Sequence, residues 1–569
     1  MCGEFVQVAG EFREAAPLRG TDTNVFEIKL YKLAEDSPIA TGEPIACKGC
    51  SAVLTCFSSV ESEEADKLWK CEFCGCPNKL VLDAGQVPTS DQVTYVLDPA
   101  AEEVEVQADS DSTTCIFAID ASGSMGTAVS VATPISIKGA PATSRPSRLA
   151  CVMAAVEAQI NQMIDQSPGR HIGLVEFESA VTVHGDGRSS DSVQVNFDDF
   201  EALVQSMASK HDYYVGRPVA SAKNELLTKV FNLVPKGMTA LGPGLVVSVA
   251  LAVQGKAGSK VIICTDGMAN QGIGAIESKD EEGQKRSDKF YEDVGLWAQR
   301  SGVSVSVISV SDADCKLSYL SNIANLTEGS VLRVNPATLA DDFANILSER
   351  IVATEAKVRV TMHKGLKFKN ELASDLQQQG SQLVRNIGNV SQLSSFTFEY
   401  AIKNEEEMTT SEVDLRGMTQ LPFQLVIEYR NLSGQRCIKT FAKVLKVSND
   451  REAVEREARA EILHRNWGVQ QSRNIAYGRF QQMEDVEADY RGMQQRVART
   501  EEERVQADDM AQRMHGMVGY TMAQRANEEA MGLHIDEEAA NPEDLRRQRQ
   551  AMMSDSLTVA HTFFNKARK

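Results

Sequence analysis

Three pieces of the sequence carry oxygen donors of one kind, and a fourth carries thiols. Asp120-Ala121-Ser122-Gly123-Ser124 offers a carboxylate and two hydroxyls at alternate positions, with Gly123 expected to let the loop turn tightly. Lys236-Gly237-Met238-Thr239-Ala240-Leu241-Gly242 is a glycine-punctuated loop that offers the Thr239 hydroxyl, and Val261-Ile262-Ile263-Cys264-Thr265-Asp266-Gly267 is an apolar run ending in the Asp266 carboxylate. All are hard donors of the type magnesium or manganese accepts in an octahedral shell completed by water or a partner group. The thiols are those of Cys47-Lys48-Gly49-Cys50 and Cys71-Glu72-Phe73-Cys74. Two Cys-x-x-Cys knuckles about twenty residues apart match a four-cysteine zinc ribbon, a closed tetrahedral site with a structural role. Cys56 and Cys76 are left over, and Cys74 is preferred to Cys76 because it has the knuckle spacing.

The elements that must position the oxygen donors follow from the pattern around them. Cys115-Ile116-Phe117-Ala118-Ile119 reads as a buried parallel strand ending at Asp120. Further buried strands are predicted at 172–177, 261–264, 303–310 and 331–334, with an antiparallel edge strand at 181–183. Helices are predicted at 148–164, 219–233, 245–253, 289–299 and 339–347. Such alternation builds a doubly wound, largely parallel sheet, and ligands of such sheets gather at the carboxyl ends of the strands. A serine- and aspartate-rich turn alone would be ordinary; three pieces at strand ends make a site. The segment 127–146, rich in small residues and proline, reads as a mobile loop whose Lys138 and Arg145, with Arg148 just beyond, are placed to receive an acidic partner. Lys210–Arg217, with Tyr213 and Tyr214, reads as a second contact surface. Residues 255–260 lack the phosphate-loop spacing and precede a strand instead of following one.

The chain has 569 residues, enough for several domains, with 42% apolar and 24% charged residues. A net charge of −20 repels phosphate backbones and anionic surfaces, so nucleic acid is not an expected partner. The first twenty residues carry Glu4, Glu11, Arg13 and Glu14 and are not expected to be a signal peptide. No apolar run reaches the ~18 residues that span a bilayer. Six of the twelve cysteines lie between Cys47 and Cys76, which points to a metal site in a reducing compartment rather than a disulfide framework.

Met1-Cys2-Gly3 is similar to the start of an amidotransferase with an N-terminal cysteine nucleophile, but a different module begins about forty residues later, and an ordinary start is the reading taken. Short strands are predicted at 26–30, 93–97 and 104–106. After 350 the pattern alternates: Val358, Val360, Met362, then Phe396, Phe398, Tyr400, then Phe423, Leu425, Ile427, Tyr429. This predicts an antiparallel sandwich with one wet face. From 449 the chain reads as helical and charged, with a hinge at 448–451. Met483, Val486, Tyr490, Met493 and Val497 are spaced for a packed bundle, and the tail after 539 is expected to be partly mobile.

The donors at 120–124, 239 and 266, in this order in a doubly wound sheet, resemble the metal-ion-dependent adhesion site of the von Willebrand factor A domain. In that family the serines bind the ion directly, and the threonine and aspartates bind directly or through water. A partner's carboxylate takes the remaining position. The resemblance gives those roles to Asp120, Ser122, Ser124, Thr239 and Asp266. Ribbon, A-type domain, sandwich and helices in succession resemble the inner-coat subunits of the COPII vesicle coat, with the closest local likeness in Cys47-Lys48-Gly49-Cys50-Ser51-Ala52-Val53-Leu54 and Lys67-Leu68-Trp69-Lys70-Cys71-Glu72-Phe73-Cys74. That family builds its sandwich from strands on both sides of the ribbon and trunk. Its trunks generally lack a working adhesion site, and its gelsolin-like end module is not expected here.

The expected architecture is therefore multidomain, α/β plus β plus α. It comprises a sandwich-joining segment at 1–40, a zinc ribbon at 41–85, a linker with sandwich strands at 86–112, a central A-type domain at 113–350, a β-sandwich at 351–448, and a helical domain with a charged tail at 449–569. The expected function is that of a cytoplasmic, non-enzymatic adaptor. It would bind an acidic side chain of a protein partner at the Mg²⁺ or Mn²⁺ site, on a frame that includes structural Zn²⁺. The alternatives are a coat component of ER-to-Golgi transport, peripheral at ER or vesicle membranes and acting with coat subunits or a small GTPase, and a metal-dependent hydrolase or GTPase regulator. For the last, Arg465, Arg473 and Arg479 lie in the right kind of segment.

Overall fold

The structure is a computed structural model. It describes residues 8–9, 24–97 and 113–476 apart from short stretches, of which 81–86, 276–280, 310–316, 334–338 and 449–453 are the longest, together with scattered positions between 490 and 508. Met1 to Gly3, the strand at 104–106, Lys138, Arg479, Met483, Val486, Met493, most of the hinge and the tail after 539 lie outside the described residues. Mixed α/β structure with several sheets falls into two compact units, one centred on Ala101–Thr354 and the other on Met1–Ala100, Glu355–Ile387 and Leu393–Arg549.

The first unit is built on a seven-stranded sheet, in the order Asp191–Ser192, Val181–Gly185, His171–Phe177, Thr114–Asp120, Lys260–Thr265, Ser304–Ser309, Val331–Arg333. The last five are parallel neighbours, and Val181–Gly185 runs antiparallel to His171–Phe177. Asp191–Ser192, not the predicted strand at 181–183, forms that edge of the sheet.

Thr114–Asp120 lies at the centre and is buried throughout. Its alternate side chains serve two cores. Ile116 and Ala118 pack with Leu245, Val246 and Val249 on one face, and Cys115, Phe117 and Ile119 with Val152, Val156 and Phe343 on the other. This is the period-2 reading of a strand covered on both sides.

The helix Leu241–Ala252 is buried on every side and starts four residues before its predicted beginning. Gly242-Pro243-Gly244 reads as a breaker, yet proline is tolerated in the first helical turn. The glycines are there because the helix is pressed close: a Cβ on Gly242 would lie 1.8 Å from the Ile273 carbonyl oxygen, and one on Gly244 2.9 Å from the Phe177 ring. Helix Arg148–Gln166 begins at Ser147, whose hydroxyl accepts from the Ala150 N–H at 3.1 Å. The helices Phe200–Ser206, His211–Val215 and Leu317–Leu326 are additional to those predicted.

In the second unit, an eight-stranded sheet contains Ile351–Met362, Gln382–Ser391, Gln420–Arg430, Arg436–Ser448 and Gln92–Val96. A smaller sheet pairs Val25–Lys29 and Leu366–Lys369 with Ser395–Ile402, all antiparallel. Phe26 stands opposite Phe398 in that register, and its ring lies 5.7 Å from Phe423 of the large sheet. Tyr400 is 5.2 Å from Phe423. Aromatic rings from both sheets thus form the layer between them.

The ribbon strands Val60–Glu63, Asp66–Lys70 and Pro77–Leu80 make a third sheet in this unit. The Gln424 side chain accepts from the Val53 N–H and donates to its carbonyl, both at 2.7 Å, as an extra strand would. In the region of the expected bundle, helix Ala460–Ala476 is described, together with helical positions at 454–455, 490, 497, 501, 503–505 and 508. Its Trp467 stacks on Tyr490 with ring centroids 4.0 Å apart.

Candidate metal sites

The oxygen-donor site begins with strand register. Lys260–Thr265 runs parallel to Thr114–Asp120 with Cys264 beside Ile119, so Thr265 falls beside Asp120 and Asp266 beyond it. The Thr265 hydroxyl donates to Asp120 Oδ2 at 2.5 Å, and the Ser122 N–H donates to Oδ1 at 2.8 Å. The hydroxyl oxygens of Ser122 and Ser124 are 3.1 Å apart, and Ser124 donates to Asp266 Oδ1 at 2.6 Å. Arg148 Nη1 donates to Asp266 Oδ2 at 2.7 Å. Thr239 is fixed by Asn270, whose side-chain oxygen accepts from the Thr239 N–H at 2.8 Å and whose own N–H donates to the Thr239 carbonyl at 3.1 Å. A Cβ built on Gly267 would lie 3.6 Å from Ser124 Oγ and 3.7 Å from Thr239 Oγ1, so these hydroxyls border one small space.

Asp120, Ser122, Thr239 and Asp266 are buried, and Ser124 is exposed at the mouth. Burial pushes the Asp120 carboxyl up to about 6, and the Asp266 carboxylate adds to the rise, against hydrogen bonds from Thr265 and Ser122. Two carboxylates close together under the surface disfavour each other's charge unless a cation stands between them. The donor set is oxygen only and carries two carboxylates, the chemistry that magnesium or manganese accepts.

The thiol site is two copies of one turn. Ser51 N–H donates to the Cys47 carbonyl at 2.9 Å and Gly75 N–H to the Cys71 carbonyl at 2.8 Å; Cys47 N–H donates to Ala52 at 2.7 Å and Cys71 N–H to Cys76 at 2.9 Å. Ser51 and Gly75 both take positive φ, 59° and 79°. The four ligand sulfurs of Cys47, Cys50, Cys71 and Cys74 lie within 4.8 Å of one another. Cys47 and Cys74 are 3.6 Å apart, Cys50 and Cys71 3.7 Å. Zinc with Zn–S bonds of about 2.3 Å needs tetrahedral edges of about 3.8 Å, so the cluster can hold a zinc ion. Cys76 sits where Ala52 sits in the first turn, closing it through its backbone.

Burial raises the Cys47 thiol, but hydrogen bonds from the Cys50 and Gly49 backbone and from Asn78 outweigh it and bring it down to about 7. Cys71 is held far above the usual thiol range by its hydrogen bond with Cys50 and by burial. Asn78 Nδ2 donates to Cys47 Sγ at 3.5 Å and to the Cys76 carbonyl at 2.9 Å, while its oxygen accepts from the Lys48 N–H at 2.9 Å.

No protein-family model matches the chain. Among solved structures, the human COPII-coat protein Sec24c is similar with a TM-score of 0.53, over 95% of this chain and 73% of that one, at 14% identity. The chain has a Sec24-like fold. At that identity the likeness concerns fold alone. Among curated proteins, "Circularly permutated Ras protein 1" of Dictyostelium discoideum is 30% identical over 484 residues. These are 82% of this chain and 55% of that protein, so the chain spans about half the length of the relative.

Within this Sec24-like fold, several expectations are changed. Gly123 has no positive φ, and a Cβ there would meet only the Gly237 oxygen at 3.5 Å, so the turn does not demand glycine. The demand is at Gly237, with φ 69° and a Cβ that would strike Ser179 Oγ at 2.4 Å. Among the described residues of the segment 127–146 the two ends are paired: Val129 donates to Pro146, Val131 to Ser144, and Ile135 and Thr143 to each other. Arg148 does not stand free for a partner but pairs with Asp266, while Arg145 is exposed. In the 210–217 segment Tyr213 is 60% exposed and Tyr214 is buried, so only the first is a surface residue. Arg465 is bound by Glu27 and Glu461. Sequence reading did not single out Thr265, Asn270 or Asn78. The Thr-Asp-Gly run offered a signal for Thr265; the two asparagines had none.

Proposed function

We propose that this chain is a non-enzymatic adaptor that captures a protein partner through an acidic side chain at the Asp120–Asp266 site. The observation that carries this reading is the convergence of two buried carboxylates and the Ser122 and Ser124 hydroxyls at the carboxyl ends of two adjacent parallel strands. A divalent ion bound there would offer the partner's carboxylate a coordination position that the chain's own residues do not fill. Asp120 is oriented by Thr265 and the Ser122 backbone, and Asp266 by Ser124 and Arg148, so the carboxylates are set before any ion arrives. The zinc ribbon, tied to the sandwich through Gln424 and Gln382, serves as a rigid part of the frame. Adaptor capture on a coat-like scaffold is consistent with the Sec24-like fold.

A second reading is a coat component acting with a small GTPase, close to membranes of the early secretory pathway. The fold likeness to a COPII-coat protein and the name of the Ras-related relative support it. No helix among the described residues is long and apolar enough to cross a membrane. Arg465, engaged by two glutamates, is a poor candidate for an arginine acting on a GTPase.

The deciding experiment is a pull-down with wild type and Asp120→Ala, each with Mg²⁺ and with EDTA. Partners recovered only by wild type in Mg²⁺ support the adaptor. The same partners in all four arms sink it, and recovery of coat components or a small GTPase in every arm favours the second reading.

A further inference from the structure

Arg148 stands where a cation is needed and where its own helix does not want one. It is the first residue of helix Arg148–Gln166, directly after the Ser147 cap, and that first turn holds no acidic residue. A positive charge at a helix N-terminus runs against the helix dipole. The guanidinium nevertheless reaches Asp266 Oδ2 at 2.7 Å, and the Asp266 side chain is wholly buried. The pair is only partly satisfied, because Arg148 Nε is buried without an acceptor. The other Asp266 oxygen accepts from Ser124, and Asp120 next to it accepts from the Thr265 hydroxyl and from Ser122.

We propose that Arg148 is a tethered counter-ion of the oxygen-donor site. Its guanidinium neutralises Asp266 while no divalent ion is bound, and its charge opposes the ion's arrival, so that Arg148 sets how tightly the site takes Mg²⁺ or Mn²⁺. The inference rests on the metal reading of the site. It makes Arg148 a positioning residue with two opposed effects. Orienting Asp266 favours the ion, and a fixed positive charge one carboxylate away disfavours it. In a buried site the charge dominates, since charges interact far more strongly there than in water. The bare chain is thereby protected against two uncompensated buried carboxylates, and the ion is held loosely enough for its occupancy to vary with supply.

The test uses the full chain, exhaustively exchanged into metal-free buffer, with Mn²⁺ binding followed by electron paramagnetic resonance. Asp120→Ala serves as the blank for Mn²⁺ bound elsewhere. Arg148→Gln keeps a donor without the charge, Arg148→Lys keeps the charge, and Arg148→Met gives a second neutral variant should the glutamine form not fold. Both neutral variants are expected to bind Mn²⁺ about tenfold or more tightly than wild type, with Arg148→Lys close to wild type. Without metal the neutral variants should melt below wild type, and Mg²⁺ should narrow the gap. Equal or weaker binding by the neutral variants overturns the inference and leaves the metal site standing. Absence of any Asp120-dependent Mn²⁺ binding in wild type and in every variant overturns the metal reading, and this inference with it.

Discussion

Thr265 and Asp120 are joined by a 2.5 Å hydrogen bond across two neighbouring parallel strands, with the hydroxyl donating to a carboxylate that has no exposure to solvent. Ser122 also holds the Asp120 charge, through its N–H at 2.8 Å and through its side chain. Replacing Thr265 by Val keeps the shape and removes the donor. The chain should lose about 1–3 kcal/mol, the cost of leaving a buried acceptor unmatched. Replacement by Ser should recover most of it. Urea unfolding in metal-free buffer at pH 7.5 reads the difference, and equal midpoints for the Val variant and wild type would show the bond to be of no consequence.

Asp120→Asn should have the opposite effect on the metal-free chain. The folded carboxyl titrates at about 6 against an ordinary 3.8. Its folded pKa is raised, so the stability it contributes is present below pH 4 and is lost as pH rises through 6. At neutral pH the charge is therefore a burden, on the order of 1–3 kcal/mol. An amide keeps the acceptor for Ser122 and can donate to Thr265. The variant is expected to melt higher than wild type without metal and to lose any stabilisation by Mg²⁺. A lower melting temperature in both conditions would refute this.

Zinc content separates ligands from bystanders in the ribbon. Cys47→Ser and Cys71→Ser should reduce bound zinc to background by plasma mass spectrometry, because each removes one corner of the tetrahedron. Cys76→Ser should retain it, since that residue closes its turn with a backbone carbonyl. Asn78→Ala should retain zinc but release it to a competing chelator at about 10–100-fold lower concentration, the usual effect of losing a donor to a ligand sulfur. Undiminished zinc in Cys47→Ser would remove the assignment.

His363 gives the sandwich unit an acid-sensitive point. Burial, then the charges of Lys364 and Lys403, lower its imidazole from 6.5 to about 4, and its Nδ1 faces the Gly365 N–H at 3.2 Å. The folded state holds it neutral, while the unfolded chain protonates below 6.5. The stability linked to it is fully present above pH 6.5 and drains away as pH falls toward 4, by a total on the order of 3 kcal/mol. His363→Asn, which can accept from the same N–H, should flatten the stability profile between pH 7 and pH 5. An unchanged slope would assign the acid sensitivity to other groups.

The parts of the two sites that were legible in the sequence are those written within one turn or one strand end. A Cys-x-x-Cys knuckle needs only five or six consecutive residues to set two sulfurs, and the same hydrogen bonds recur at Cys47 and Cys71. Asp120, Ser122 and Ser124 follow an apolar run whose period already places them at a strand end. Residue type, spacing and hydrophobic period are local quantities, and they sufficed for the donors, for the sheet that carries them and for the sandwich pattern after 350. The partners of those donors lay beyond that reach. Thr265 meets Asp120 across 145 residues, Arg148 meets Asp266 across 118, and Arg465 meets Glu27 across 438. Such meetings depend on strand register and on where a helix docks, which packing of the whole core decides. Sequence alone therefore determined which residue types stand at the strand ends and in the cysteine turns. Only the tertiary structure decided that the buried Asp266 carboxylate is held by an arginine, because charge compensation in a buried site depends on what folds against it.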